Sequence, residues 1–246
     1  EILHTSVSRL EQFAACAYAH FLKYGLKLSE EEEYTFEAVD LGNLFHETMY
    51  RFGNYMSEGR YTWFNCPKEE ADAFIDKAVD EFAAEYGGTV LYDTARNEAI
   101  KERAKGILKT TVENLSFQLR KGLFEPVCYE MPFFTKGDVE LYGKVDRLDV
   151  AKKEGNVYVK ILDYKSGRHK FDPARLFFGL DLQLAVYMNA AVEREEKLHP
   201  KEQVVPSAIF YYQIEDPLVE GTSEEGQEAR MEKLHEKLKV QGLIRE

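Results

Sequence analysis

Cysteine is scarce in this chain: Cys16, Cys66 and Cys128 are the three in 246 residues, and they have no regular spacing. That excludes a disulfide framework and fits a reducing, cytoplasmic compartment. No apolar run approaches the roughly 18 residues of a membrane-spanning helix, and there is no signal peptide, low-complexity tract or internal repeat. Membrane insertion is therefore not expected. Positive charge is also in deficit. Against 44 Asp and Glu stand 32 Lys and Arg, a net charge of −12, so the chain lacks the general basic surface on which duplex affinity rests through phosphate neutralisation. What remains is ample material for a core, with 44% hydrophobic and 13% aromatic residues, enough for one domain with helical additions.

The most informative stretch is Gly143-Lys144-Val145-Asp146-Arg147-Leu148-Asp149 followed by Ile161-Leu162-Asp163-Tyr164-Lys165-Ser166-Gly167. The apolar runs Val139 to Val150 and Val157 to Tyr164 read as strands, and the polar link Lys152-Lys153-Glu154-Gly155-Asn156 suits a hairpin between them. Side chains alternate along a strand, so Asp163 and Lys165 share one face, behind Val157, Val159 and Ile161, while Tyr164 takes the other. The hairpin brings Asp146 near Asp163. Two adjacent carboxylates repel unless a cation lies between them, and oxygen donors favour Mg²⁺ or Mn²⁺ over softer metals. An arbitrary Asp-x-Lys also reads as a solvated ion pair at a strand end, and what distinguishes this one is the apolar row running into it. Arg147 and Asp149 read as exposed strand charges without a chemical role.

Around this hairpin, helices are expected at 6–24, 38–58, from Pro67 to near Gly87-Gly88, and at 95–121, with Leu108, Val112, Leu115 and Leu119 forming a core stripe. The acidic run Glu30 to Glu33 reads as a solvated linker. Strands follow at 126–135, 138–150 and 156–164, then a helix at 173–196, a strand at 204–214 and a charged C-terminal helix. Ser207-Ala208-Ile209-Phe210-Tyr211-Tyr212 suits a sheet interior. Residues 1–246 form one domain: a helical N-terminal segment (1–37), a His-bearing core helix (38–60), a helical insertion (61–125), the catalytic sheet and helix (126–215), and a C-terminal helix (216–246).

Taken with Leu41-Gly42-Asn43-Leu44-Phe45-His46-Glu47 upstream and Gln183-x-x-x-Tyr187 downstream, the two Asp motifs resemble the RecB-like branch of the PD-(D/E)XK nucleases. The resemblance spans roughly residues 5 to 215. It implies an α/β, restriction-endonuclease-like core, a central mixed sheet flanked by helices. It further implies His46, Asp146, Asp163 and the backbone carbonyl of Tyr164 as ligands of Mg²⁺ or Mn²⁺, Lys165 as the catalytic lysine, and Gln183 and Tyr187 as a pair positioning substrate or lysine. Without the resemblance, His46 reads as a core histidine among Leu41, Leu44, Phe45 and Met49, and Gln183 and Tyr187 as an ordinary helix flank.

The segment Ser6-Val7-Ser8-Arg9-Leu10-Glu11-Gln12-Phe13, with Cys16-Ala17-Tyr18-Ala19-His20-Phe21 after it, is similar to the start of AddB-type subunits of bacterial helicase-nucleases. That similarity implies a 4Fe-4S cluster in longer family members, with Cys16 as its first ligand. No cysteine follows Tyr187, so this chain by itself cannot build such a cluster, and Cys16 is expected as a small buried residue on the apolar face of the first helix. Beginning at Glu1 and stopping at Glu246, the chain is expected to be an excised domain. The implied activity is hydrolysis of DNA phosphodiester bonds, on single strands fed by an attached helicase subunit during double-strand break repair. Lys144, Arg147, Lys165, Arg168, Lys170 and Arg175 offer a small basic track, and Tyr164, Phe171, Phe177, Phe178 and Tyr187 offer stacking surfaces. Two other readings stay open: a free-standing exonuclease of the CRISPR-adaptation kind, and a silent DNA-binding or scaffold module that keeps the fold.

Overall fold

The computed structural model describes residues 3–28, 38–85, 95–135, 139–167, 169–217 and 227–245. The acidic run Glu30 to Glu33, the Gly87-Gly88 helix end, Arg168 and the stretch 218–226 lie outside them. In chain order the elements are β1 (Leu3–Ser6), α1 (Val7–Ala15), α2 (Ala17–His20), a π-helical turn (Phe21–Gly25), α3 (Ala38–Glu58), α4 (Lys68–Glu85) and α5 (Ala95–Leu119). There follow β2 (Glu125–Phe134), β3 (Val139–Lys153), β4 (Asn156–Lys165), α6 (Pro173–Phe177), α7 (Gln183–Leu198), β5 (Gln203–Gln213), α8 (Gln227–Lys237) and β6 (Gln241–Ile244). Among the described residues no helix is long and apolar enough to cross a membrane.

The strands form one mixed sheet in the order β1-β3-β4-β5-β6, with β2 along the other edge of β3. β1 runs parallel to β3 and β5 parallel to β4, while the remaining pairs are antiparallel. Period-2 alternation gives the sheet two apolar faces. Leu162 and Tyr164 of β4 join Leu44, Phe45, Met49 and Phe52 of α3 and the Leu108, Val112, Leu115 and Leu119 stripe of α5. Val159 and Ile161 of the same strand face the other way, onto Leu184, Tyr187, Met188 and Ala191 of α7. Helices thus cover both sides of the hairpin, and each fully buried side chain of this size contributes about 1.5–3 kcal/mol.

Four expectations need correction. The helix expected at 6–24 is interrupted at Cys16, whose backbone is extended (φ −161°), and the residues before it form β1. Cys16 is exposed, not buried, and its Sγ accepts from the Ala19 N–H as the cap of α2. The helix expected at 173–196 is two helices. Gly179 (φ 72°) ends α6, with Leu180 N–H donating to the Arg175 carbonyl at 2.8 Å and Gly179 N–H to that of Leu176 at 3.2 Å, a Schellman arrangement. Finally, the C-terminal segment is not wholly helical, because β6 pairs with β5 from Ala208↔Ile244 to Tyr211↔Gln241. Asn114 of α5 ties this end down, its amide donating to Tyr212 Oη and to the Leu238 carbonyl at 2.9 and 2.8 Å.

Candidate active site

The site forms where the hairpin stops pairing. The β3–β4 ladder runs from Lys153↔Asn156 to Arg147↔Leu162 and goes no further. On that edge of β3 the next described partner is Ser6 of β1, opposite Tyr142. Residues 143–146 therefore face a gap, and Asp146 lies in it. Its Oδ2 accepts the Tyr164 N–H at 2.7 Å. A side chain replaces the missing backbone acceptor, as the satisfaction of a buried N–H requires.

On the α3 side, His46 Nδ1 lies 3.4 Å from Asp146 Oδ2. Gly42 explains how the helix comes so close: a Cβ there would stand 3.0 Å from Ser166 Oγ, just beyond the end of β4. His46 is one turn further along the same face. Its ring meets that of Tyr164 edge-on, centroids 6.2 Å apart. Burial disfavours its charged form, but the hydrogen bond and charge of Asp146, with Asp163 and Glu130 beyond, outweigh burial and raise its pKa.

On the α7 side, Lys165 Nζ lies 2.5 Å from Asp163 Oδ2 and donates to Gln183 Oε1 at 2.7 Å. Gln183 Nε2 in turn donates to Tyr187 Oη at 2.7 Å. The expected i, i+4 pair of α7 is thus one relay ending on the lysine. Asp163 is buried, and neither of its oxygens has a partner in hydrogen-bonding geometry, since Lys165 approaches Oδ2 closely but off-axis. Burial and the neighbouring Asp146 push its carboxyl up to about 7, against the pull of Lys165. A buried carboxylate in this condition is costly unless a cation joins it.

One ligand atom each from His46, Glu130 and Asp146 lies within 4.8 Å of the others, a spacing that fits a metal ion. Glu130 was not among the expected residues. It is opposite Asp146 where β2 pairs with β3, between Tyr129↔Arg147 and Met131↔Val145. Its φ of 46° turns the strand there, so that Tyr129 packs with the α3 layer and Met131 with the α7 layer. Burial, then the charge of Asp146, raises its pKa. The only trace in the sequence is one acid between two apolar strand residues, too common a pattern to single out. Oxygen-rich donors orphaned at one end of a hairpin, with one imidazole beside them, suit a hard divalent cation.

Arg147 and Asp149 are not exposed strand charges. They are 1% and 0% exposed, joined by two hydrogen bonds of 2.6 and 2.7 Å, with Lys160 Nζ 2.7 Å from the same carboxylate. The guanidinium stacks 5.1 Å from the Trp63 ring. Burial alone would raise the Asp149 pKa, but Arg147 and Lys160 outweigh it and hold it low. The pair is a strut under the hairpin, and Arg147 leaves the expected basic track. Lys144 is paired with Glu130 at 3.3 Å and Arg175 with Asp181 at 2.9 Å. Of the five aromatics, Tyr164 and Tyr187 are buried and Phe171 packs on the α7 core, whereas Phe177 and Phe178 stand 84% and 70% exposed.

The sequence matches the model of the PD-(D/E)XK nuclease superfamily over residues 4–245. It is 39% identical to the B-type subunit of the ATP-dependent helicase/deoxyribonuclease of Lachnoclostridium phytofermentans, over 99% of this chain and 21% of that protein. The proteins of the same name from Alkaliphilus metalliredigens and Clostridium acetobutylicum are 37% and 33% identical over 98% of the chain and 22% of each relative. The chain thus spans about a fifth of the length of these curated relatives. With a match from end to end and its Asp, Asp-x-Lys and Gln-x-x-x-Tyr residues gathered at one break in the hairpin, this chain belongs to the PD-(D/E)XK nuclease superfamily.

Proposed function

We propose that the chain is a divalent-metal-dependent deoxyribonuclease, the nuclease part of an AddB-type helicase-nuclease subunit, acting in the cytoplasm on single strands delivered by an attached motor during break repair. The observation that carries the reading is Asp163, buried, raised to about 7 and without a hydrogen-bond partner, beside Lys165. A fold that merely kept its shape gains nothing from that arrangement, which costs stability until a cation arrives. This speaks against a silent scaffold. The similarity to proteins named helicase/deoxyribonuclease favours the motor-coupled enzyme over a free-standing exonuclease.

His46, Asp146, Asp163 and the carbonyl of Tyr164 would hold Mg²⁺ or Mn²⁺, with Glu130 beside them. When bound, such a cation supplies positive charge for the phosphate oxygens and acidity for the attacking water. The residues of the chain do the rest. Asp146 and Asp163 set the position of the phosphate by fixing where positive charge sits. Lys165, steered by Asp163 and Gln183, presents its ammonium to the reacting centre and orients water or offsets developing charge on phosphate. Tyr187 fixes the Gln183 amide so that its oxygen faces the lysine. Substrate preference follows from two features. A net charge of −12 gives weak grip on duplex without a motor, and the exposed Phe177 and Phe178 suit unstacked bases.

The test is cleavage of an end-labelled linear single strand in Mg²⁺, Mn²⁺ or chelator by the wild type, Asp163→Ala and Lys165→Ala. The expected result is metal-dependent cutting that falls at least about a hundredfold in both variants. Equal cutting by Lys165→Ala, or undiminished cutting in chelator, refutes the assignment.

A further inference from the structure

We infer that Glu11, on the first helix, is a positioning residue for Lys165, acting through the N-terminus of α7. This rests on the reading of Lys165 as the lysine of the reaction. Helix α7 begins at Gln183 with Leu182 in the capping position, which offers no side-chain acceptor. The first N–H groups of any helix need partners from outside it, and Ser, Thr, Asp or Asn at the cap ordinarily provides one. Here the acceptor comes from 172 residues away: Glu11 Oε1 takes the Gln183 N–H at 2.9 Å. The carboxylate also meets the backbone N–H of Leu182, and it feels the charges of both Asp181 and Lys165.

The residue so held is the one that holds the lysine. Gln183 has its backbone fixed by Glu11, its amide oxygen engaged by Lys165 at 2.7 Å and its amide nitrogen by Tyr187 at 2.7 Å. No other described hydrogen bond fixes the direction in which α7 presents that side chain. Glu11 is itself well placed to carry the load. One turn before it, Val7 is buried among Met131, Val145 and Leu184. Ser6, immediately before α1, pairs with Tyr142 of β3 and accepts the Arg9 N–H at 3.3 Å. The N-terminal helix is therefore anchored to the same strand that carries Asp146, and Glu11 passes that frame on to the lysine. Misplacement by about an ångström far from the chemistry costs on the order of a hundredfold in rate, so a loosened Gln183 has room to matter.

The experiment is steady-state cleavage of a labelled single strand in Mg²⁺ by the wild type, Glu11→Ala, Glu11→Gln, Gln183→Ala and the Glu11→Ala/Gln183→Ala double variant, with a melting curve for each. Glu11→Ala is expected to lower kcat about tenfold with KM within about twofold. Glu11→Gln keeps an oxygen for the Gln183 N–H and is expected to restore kcat to within about threefold of wild type. In the Gln183→Ala background, Glu11→Ala is expected to cost less than about twofold more, because the route to Lys165 is already cut. An unchanged kcat in Glu11→Ala, or the full loss recurring in the Gln183→Ala background, overturns the inference. If Glu11→Ala does not fold, Glu11→Gln and the shorter Glu11→Asp decide: equal kcat for the two, with one able to reach and the other not, overturns it. A wild type that cuts nothing in any metal sinks the nuclease reading and this one with it, whereas a cutting wild type matched by Glu11→Ala sinks this one alone.

Discussion

Replacing Asp163 by Asn should stabilise the metal-free protein, although it destroys the proposed active site. The Asp163 carboxyl is pushed from an ordinary 3.8 to about 7 by burial and by Asp146. The sign follows directly. A carboxyl whose folded-state pKa is raised is best tolerated protonated, so its contribution is full below pH 3.8 and is lost as the pH rises to about 7. A difference of about three pH units at about 1.4 kcal/mol each gives ~4 kcal/mol of strain at pH 8. Imperfect replacement of the acid by the amide trims the expected gain to about 2–4 kcal/mol. For a chain of 246 residues, where 1 kcal/mol moves Tm by about 2–4 °C, the variant should melt roughly 5–12 °C above wild type in chelator at pH 8. The gain should shrink steadily below pH 7 and vanish near pH 4. Adding Mn²⁺ should then raise the Tm of the wild type and not that of Asp163→Asn. A variant that melts lower than wild type in chelator at pH 8, or a gain that does not change with pH, refutes the argument that Asp163 is held against its own field.

Arg147→Met leaves Asp149 buried with Lys160 alone, and removing one partner of a buried pair costs about 3–5 kcal/mol; urea unfolding giving a loss under about 1 kcal/mol shows that the strut carries no weight. Glu130→Gln should weaken Mn²⁺ binding about tenfold, read as the metal concentration that half-raises Tm, and an unchanged midpoint removes Glu130 from the site. Phe177→Ala/Phe178→Ala deletes two exposed rings, so Tm should hold within a degree or two, while the Kd for a labelled single strand in chelator should rise about tenfold or more. An unchanged Kd assigns the two rings elsewhere.

Much of the site is legible in the chain because its motifs are local. Asp163 and Lys165 sit two apart on one strand, and Gln183 and Tyr187 four apart on one helix; backbone geometry alone puts each pair on a common face. The hairpin is legible for the same reason, since Gly155 and its polar neighbours mark the turn and the apolar alternation marks both strands. The break between α6 and α7 was equally present, as Gly179 in a helical pattern is the residue a left-handed helix stop requires.

Short strands at the ends of the chain carried no such signal. β1 and β6 are four residues each, Leu-His-Thr-Ser and Gln-Gly-Leu-Ile, and they are strands because an unpaired edge of β3 or β5 is there to accept them. Whether a charge is buried is likewise a long-range matter. Arg147 and Asp149 look like surface residues until Trp63, Lys160 and Tyr129 close over them, and Glu130 looks like any strand glutamate until a positive φ turns it toward Asp146. Sequence by itself determined which residues are chemically able to bind a cation and a phosphate, because that depends on side-chain type and on neighbours within a turn or a strand. Tertiary structure alone decided that the β3–β4 ladder ends one residue short of both aspartates, that Glu11 caps a helix from the far end of the chain, and that two phenylalanines stay in water, because each depends on which distant segments meet.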